Sequence, residues 1–316
     1  MYVLLQLTLP HLIPKRPRSK LISQGIYIGR DKELGTPIFW NIHESLNPHA
    51  LIIGPTGSGK TELLMALSLR IHNVYNVPVV FIDVKGDISE RLRQRGYRYK
   101  LIRPGYDSLG LLYPLCVLPK HRALQLADAI THSWHLEGNS KIVSLLYEVL
   151  KLGYELNNTP SWSDLIGIAR LKSRTHIEAL TIQKILEELE AIDPYGNISH
   201  PFNELKNEII VLNLRTIPKE RLESLNLICL LLFQDLINKV SSLQIDYIVR
   251  GVRAVIAIDE IWLTLHGIKY SDLILSLMRL SRGYGVSVIM ATQSFSDLGS
   301  NYNLYAENVA LLAVLS

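Results

Sequence analysis

The sequence is poor in cysteine. Only Cys116 and Cys229 occur in 316 residues, with no CxxC pair and no Cys/His grouping at zinc-ligand spacing, so neither a disulfide framework nor a structural metal is indicated. A reducing, intracellular setting is the expectation. Long apolar runs are also scarce. The start, MYVLLQLTLPHLIP, meets Pro10 and Pro14 too soon to span a bilayer and lacks the basic leader and small-residue cleavage site of a signal peptide. It reads as an edge strand or docking arm. The stretch LNLICLLLFQDLINKV (225–240) is broken by Gln234, Asp235 and Lys239 and reads as a core helix, so no transmembrane segment is expected. An excess of one charge is missing too. The net charge of +4 would suit a polyanionic partner without defining one. No N-K-x-D element for guanine is present, and no Arg- or Cys-rich lid follows the Gly-rich loop, which disfavours a GTPase or a nucleotide kinase.

What the sequence has is alternation. Two short runs, GIYIG (25–29) and TPIFW (36–40), flank the charged loop RDKELG and predict a small β unit over residues 1–48. From residue 49 short β-rich runs alternate with helical stretches, the signature of a parallel sheet covered on both faces. The expected strands are 50–54, 78–83, 99–104, 208–214, 254–259, 286–292 and 308–315. Between 118 and 207 the alternation stops, and the pattern is helical with breaks at NNTP and DPYGN. The predicted organisation is a β unit (1–48), an α/β core (49–117 and 208–316) and an α-helical insertion (118–207). The chain stops on an apolar strand with no helix after it, which points to a truncated α/β domain.

The strongest motif is GPTGSGKT, made of Gly54, Pro55, Thr56, Gly57, Ser58, Gly59, Lys60 and Thr61, between an apolar strand and a helix. That context makes a phosphate-binding loop: glycines let the backbone approach an anion, and backbone amides at a helix N-terminus donate to it. Lys60 would reach the β and γ phosphates of ATP, and the Thr61 hydroxyl would ligate Mg²⁺. The second motif, AVIAIDE (254–260), ends an apolar strand on two carboxylates. Ligands of open α/β sheets lie at the carboxyl ends of the strands. Asp259 would hold Mg²⁺ through water, and Glu260 would orient or deprotonate the attacking water. Third, RLSRGYGVSVIMATQS (279–294) leaves Gln293 at a strand end as a γ-phosphate or water sensor, with Arg282 as a candidate for stabilising phosphoryl charge. Fourth, FIDVKGDIS (81–89) offers Asp83 or Asp87 as a nucleotide contact or rival base, against the plainer reading of a βα loop with helix-start carboxylates. The string His132, His135, Glu137 lacks another clear metal ligand. The basic run RLRQRGYRYKLIR (91–103) and the group Lys15, Arg16, Arg18 and Lys20 are either phosphate contacts or solvated faces.

Taken in order, HALIIGPTGSGKT, FIDVKGDIS, AVIAIDE and SRGYGVSVIMATQS resemble the HerA/FtsK superfamily, above all HerA and the ATPases of type IV secretion and conjugation, and the likeness runs from about Gly25 to the end of the chain. The resemblance implies a RecA-like P-loop ATPase forming a hexameric ring that translocates DNA. It also implies ATP sites between subunits and an arginine supplied in trans, for which Arg215, Arg253 and Arg279 are candidates. Lys60, Thr61, Asp259, Glu260 and Gln293 match family positions for phosphate, metal, base and sensor; Arg282 matches less securely. A membrane channel or a nuclease would be the partner protein. The expected location is cytoplasmic, docked at the inner face of the membrane where a channel is served. The rivals are a secretion or pilus assembly ATPase acting on protein and a viral genome-packaging ATPase.

Overall fold

The computed structural model describes residues 25–45, 47–173, 177–218, 220–243, 251–264 and 268–316. The expected N-terminal arm and its basic group lie outside these residues. The chain divides into a sheet unit (residues up to 101, 206–212 and 243–316) and a helical unit (102–205 and 213–242).

In the sheet unit, β1 (Ile26–Arg30) and β2 (Pro37–Trp40) pair antiparallel. Asp31 closes their turn by accepting the backbone N–H groups of Glu33 and Leu34 at 2.9 and 2.7 Å, as aspartate does in tight turns. Then come β3 (Ala50–Ile53), α1 (Lys60–Tyr75), β4 (Val79–Asp83), α2 (Ile88–Gln94) and β5 (Lys100–Ile102). The chain next supplies α3 (Pro119–Ser133), α4 (Ser140–Leu156), α5 (Trp162–Ser173) and α6 (Glu178–Ile192) to the helical unit. It returns as β6 (Ile209–Asn213), leaves again as α7 (Leu222–Ser242), and finishes in the sheet unit with β7 (Ala254–Ile258), α8 (Ile268–Tyr284), β8 (Val286–Thr292), α9 (Tyr302–Glu307) and β9 (Leu311–Val314).

The seven-stranded sheet has the order β5-β6-β4-β7-β8-β3-β9. The pairs β4–β7, β7–β8, β8–β3 and β3–β9 are parallel, so their carboxyl ends share one edge. Every residue of β3, β4, β7 and β8 is buried, which is why these strands read as unbroken apolar runs. In β9, at the sheet edge, buried and half-buried residues alternate. Helix α1 buries ten residues, Leu64, Leu67 and Leu69 among them, at roughly 1.5 to 3 kcal/mol for each large apolar side chain taken from water. Its Arg70 donates to the carbonyl of Tyr27 at 2.6 Å and lies over the Tyr27 ring at 5.3 Å, fastening the β1–β2 hairpin to the helix that follows the phosphate loop.

The helical unit extends beyond the expected 118–207: it opens at 102 and takes in α7. A buried ion pair joins α7 to α3 within this unit. Arg122 of α3 donates both Nη atoms to Asp235 of α7 at 2.8 and 2.9 Å, with both side chains at 0% exposure. The same guanidinium donates to the carbonyls of Leu111 and Gly110, and His200 donates from Nε2 to Asp235 at 3.1 Å while its Nδ1 accepts the Phe202 N–H. Gly110 has a φ of 74°, and a Cβ there would come within 2.3 Å of the His200 ring, so only glycine fits. Helix α7 is long and apolar enough, by length and composition, to cross a membrane, and 78% of its apolar window is buried inside the structure.

Candidate nucleotide site

The phosphate loop runs from Gly54, at the end of β3, to the first turn of α1. Gly57 and Gly59 adopt left-handed φ values of 86° and 91°, conformations that side chains resist. A Cβ on Gly54 would lie 2.6 Å from Ser58 Oγ and 2.9 Å from Leu315, so the loop needs glycine there for close approach. Lys60 is 5% exposed, and its Nζ donates to the carbonyl of Pro55 at 2.9 Å, curled back over the loop it would serve. Ser58 Oγ is buried without a hydrogen-bond partner. An orphaned hydroxyl beside left-handed glycines at a helix N-terminus fits an anion.

The Thr61 hydroxyl donates to Asp259 Oδ2 at 2.8 Å, joining the phosphate loop to the end of β7. This is the donor set expected for Mg²⁺: a hydroxyl and a carboxylate, both hard oxygens. Burial holds the Asp259 carboxyl above the usual carboxylate range, opposed by the Thr61 hydrogen bond. Glu260 sits beside it with φ 54°, a left-handed backbone at a non-glycine residue. Its side chain is 1% exposed, and its carboxylate takes Lys85 on Oε1 and Trp262 Nε1 on Oε2. Gln293 donates to Oε2 as well, at 3.3 Å. Burial works against ionisation of Glu260, but hydrogen bonds from Lys85 and Trp262 hold its carboxyl below its ordinary value. Asp297 fixes the end of β8 by accepting from the Thr292 hydroxyl and from the backbone N–H groups of Gln293 and Ser294 at 2.7, 3.0 and 2.9 Å.

The structure therefore brings Lys60, Thr61, Asp259, Glu260 and Gln293 to one sheet edge. It does not bring Arg282 there. Arg282 precedes β8, donates to Asn47 Oδ1 at 2.8 Å, and belongs to the opposite edge, about 20 Å away along the seven residues of β8. Asp83 is buried and accepts the backbone N–H groups of Gly86 and Ile88 at 2.7 and 2.9 Å; burial pushes its carboxyl up to about 6 despite those bonds. Asp87 pairs with Arg91. Both carboxylates thus serve their own βα loop. The basic run is similarly engaged, with Arg91 and Arg95 on Glu62 and Arg93 on Glu90. His132 is paired with Glu137 at 3.0 Å, and no group of three or more His, Cys, Asp or Glu capable of holding a metal occurs among the described residues. Lys85, Trp262 and Asp297 are functional candidates that the sequence did not single out. The one available signal was a lysine two residues past a strand end at the ligand-bearing edge.

Residues 26–223 match the family described as "Helicase HerA, central domain". The DNA import protein CedB of Sulfolobus acidocaldarius is 32% identical over 96% of this chain, and the chain spans about half (50%) of CedB's length. The conjugal transfer protein TrbE of Rhizobium radiobacter is 24% identical over 83% of this chain and 31% of its own. Among solved structures, VirB4 of Thermoanaerobacter pseudethanolicus superposes with a TM-score of 0.73 at 17% identity, covering 93% of this chain and 84% of that one, which establishes the RecA-like P-loop ATPase fold. The matched span begins at β1 and runs through the phosphate loop into α7, well over half of the sequence, and on that ground the chain belongs to the HerA family.

Proposed function

We propose that this chain is the ATP-hydrolysing core of a ring motor that moves DNA in a conjugation-like transfer or import apparatus. The observation that carries the reading is the Glu260 carboxylate beside Asp259, with Asp259 bonded to Thr61 of the phosphate loop. A site that only held a nucleotide would have no use for a second buried carboxylate there. Bound Mg-ATP would supply the phosphoryl group and the charge that Lys60 and Thr61 meet. The backbone N–H groups of residues 56–60 and the Lys60 ammonium would hold the phosphates, Thr61 and Asp259 would hold Mg²⁺, Glu260 would orient the attacking water and accept its proton, and Gln293 links Glu260 to the end of β8. Arg282 is too far from this edge to act in its own chain, so a catalytic role for it requires delivery to a neighbouring subunit of a homo-hexamer. The names of CedB and TrbE, DNA import and conjugal transfer, support DNA as the cargo and the cytoplasmic face of a membrane apparatus as the place. A second reading, an assembly ATPase acting on protein, is favoured by the self-paired arginines of α2, which leave little free positive charge on that helix.

Steady-state ATP hydrolysis with and without single- and double-stranded DNA, at low and moderate salt and beside Lys60→Ala, separates the two. Stimulation by DNA that fades with salt is expected for the motor. A rate indifferent to DNA would transfer the assignment to the assembly ATPase.

A further inference from the structure

Glu260 is held on both carboxylate oxygens from three directions: Lys85 from the β4–α2 loop, Trp262 from the turn after β7, and Gln293 from the end of β8. A base must offer an oxygen lone pair to the water it activates. Oε2 has both positions filled, by Trp262 and Gln293, and one of the two on Oε1 carries the ammonium of Lys85, whose charge makes the remaining lone pair a weaker base. The carboxylate is thus ordered but engaged. Of the three partners Lys85 is the one built to leave: its side chain is 41% exposed against 1% for Glu260, and a four-carbon stem swings at little strain.

Strand order indicates what would draw it away. In the sequence β4-β7-β8-β3, Glu260 at the end of β7 lies between the strand preceding Lys85 and the strand preceding the phosphate loop. Lys85 therefore reaches Glu260 from the β4 side of β7, whereas the phosphate loop follows β3 on the other side. Asp83, the other acid at the end of β4, accepts from the loop's own backbone, and Asp87 gives its Oδ2 to Arg91 while its Oδ1 is buried without a hydrogen-bond partner.

We propose that Lys85 is a latch on the catalytic base, holding Glu260 in the engaged arrangement until an external phosphodiester takes the ammonium and frees Oε1 for the attacking water. Lys85 is a positioning residue in this scheme, and the scheme rests on the ATPase reading given above. It makes DNA a switch for hydrolysis as well as a cargo: without the polyanion the pair stays closed and ATP waits bound. An ion pair with one partner exposed to water is weak, enough to hold down turnover without locking it.

The test compares wild type, Lys85→Met and Lys85→Arg in ATP hydrolysis with and without duplex DNA. Lys85→Met should raise the DNA-free kcat about ten-fold, the equivalent of about 1.4 kcal/mol, leave KM for ATP unchanged, and gain little more from DNA. Lys85→Arg, which keeps the cation, should restore DNA dependence. A fall in kcat for Lys85→Met, or an unchanged DNA-free rate that DNA still stimulates, overturns the latch. A raised rate in Lys85→Met beside a wild type that ignores DNA overturns the phosphodiester as the releasing ligand and points to an acidic protein surface. If wild type binds ATP but never hydrolyses it, the ATPase reading itself has failed. The pair is then judged by a thermal-unfolding double-mutant cycle of Lys85→Met and Glu260→Gln: non-additivity in nucleotide-free protein supports the latch, and additivity removes it.

Discussion

At the scale of single residues, the division of labour among the acids follows from their partners. Glu260 follows Asp259, which is bonded to Thr61 of the phosphate loop, whereas Asp87 starts α2 and gives its Oδ2 to Arg91. Glu260→Gln should lower kcat by roughly 10²- to 10⁴-fold, the usual contribution of a general base, with nucleotide affinity retained. Asp87→Asn should leave kcat within the scatter of wild type; if it alone abolishes turnover in a titration of both variants, the base is misassigned. His49 supplies a second residue-scale expectation. Its Nδ1 accepts the Val288 N–H and its Nε2 donates to the Met278 carbonyl, both at 3.1 Å, so a proton has nowhere to go. Burial, and to a smaller degree Arg282, lowers its pKa to about 4. The unfolded chain, at about 6.5, binds that proton first, so the contribution of His49 to stability is full above pH 6.5 and drains away as pH falls toward 4. Relative to His49→Asn, wild type should lose about 2 kcal/mol of unfolding free energy between pH 7 and pH 5, measured by urea denaturation. Equal slopes for the two proteins would contradict it. Lys85 escaped notice in the sequence because a lysine in a βα loop is unremarkable until strand order places it against Glu260. Arg282 attracted notice because it is near β8 in sequence, although parallel strands put residues before a strand at the opposite edge from those after it.

At the scale of elements, the central strands of the sheet were legible because burial on both faces demands continuous apolar runs, and its seven strands and the two of the hairpin fall within a few residues of their expected positions. The extent of the helical unit was not legible. Nothing local in LNLICLLLFQDLINKV tells a helix lying on a sheet from one packed among helices; the partner of α7 is set by Asp235 meeting Arg122, 113 positions earlier. That pair also makes the junction of α3 and α7 sensitive. Arg122→Met should cost about 3 to 5 kcal/mol, because it leaves Asp235 buried and charged without its cation. Adding Asp235→Leu should recover part of the loss, since an apolar pair abandons no charge. Denaturant midpoints of the two proteins decide this, and a double variant less stable than the single would refute it.

At the scale of the whole molecule, the small positive net charge conceals an asymmetry: basic residues outnumber acidic ones in the sheet unit, and acidic residues outnumber basic ones in the helical unit. A polyanion is therefore expected on the sheet unit. Lys141→Ala and Lys151→Ala, on the exposed face of α4, should leave the dependence of DNA affinity on salt unchanged, as measured by fluorescence anisotropy over a salt series. A loss of about one unit of slope per lysine would mean that these side chains neutralise phosphates. The backbone at Glu260 bears on a different matter. A left-handed φ of 54° at glutamate costs about 1 to 2 kcal/mol that glycine would not incur. The residue proposed as the base thus sits where the backbone conformation by itself favours glycine. Directed evolution for heat tolerance alone would be rewarded for erasing it, and only a selection that also demands work from the protein keeps the glutamate in place.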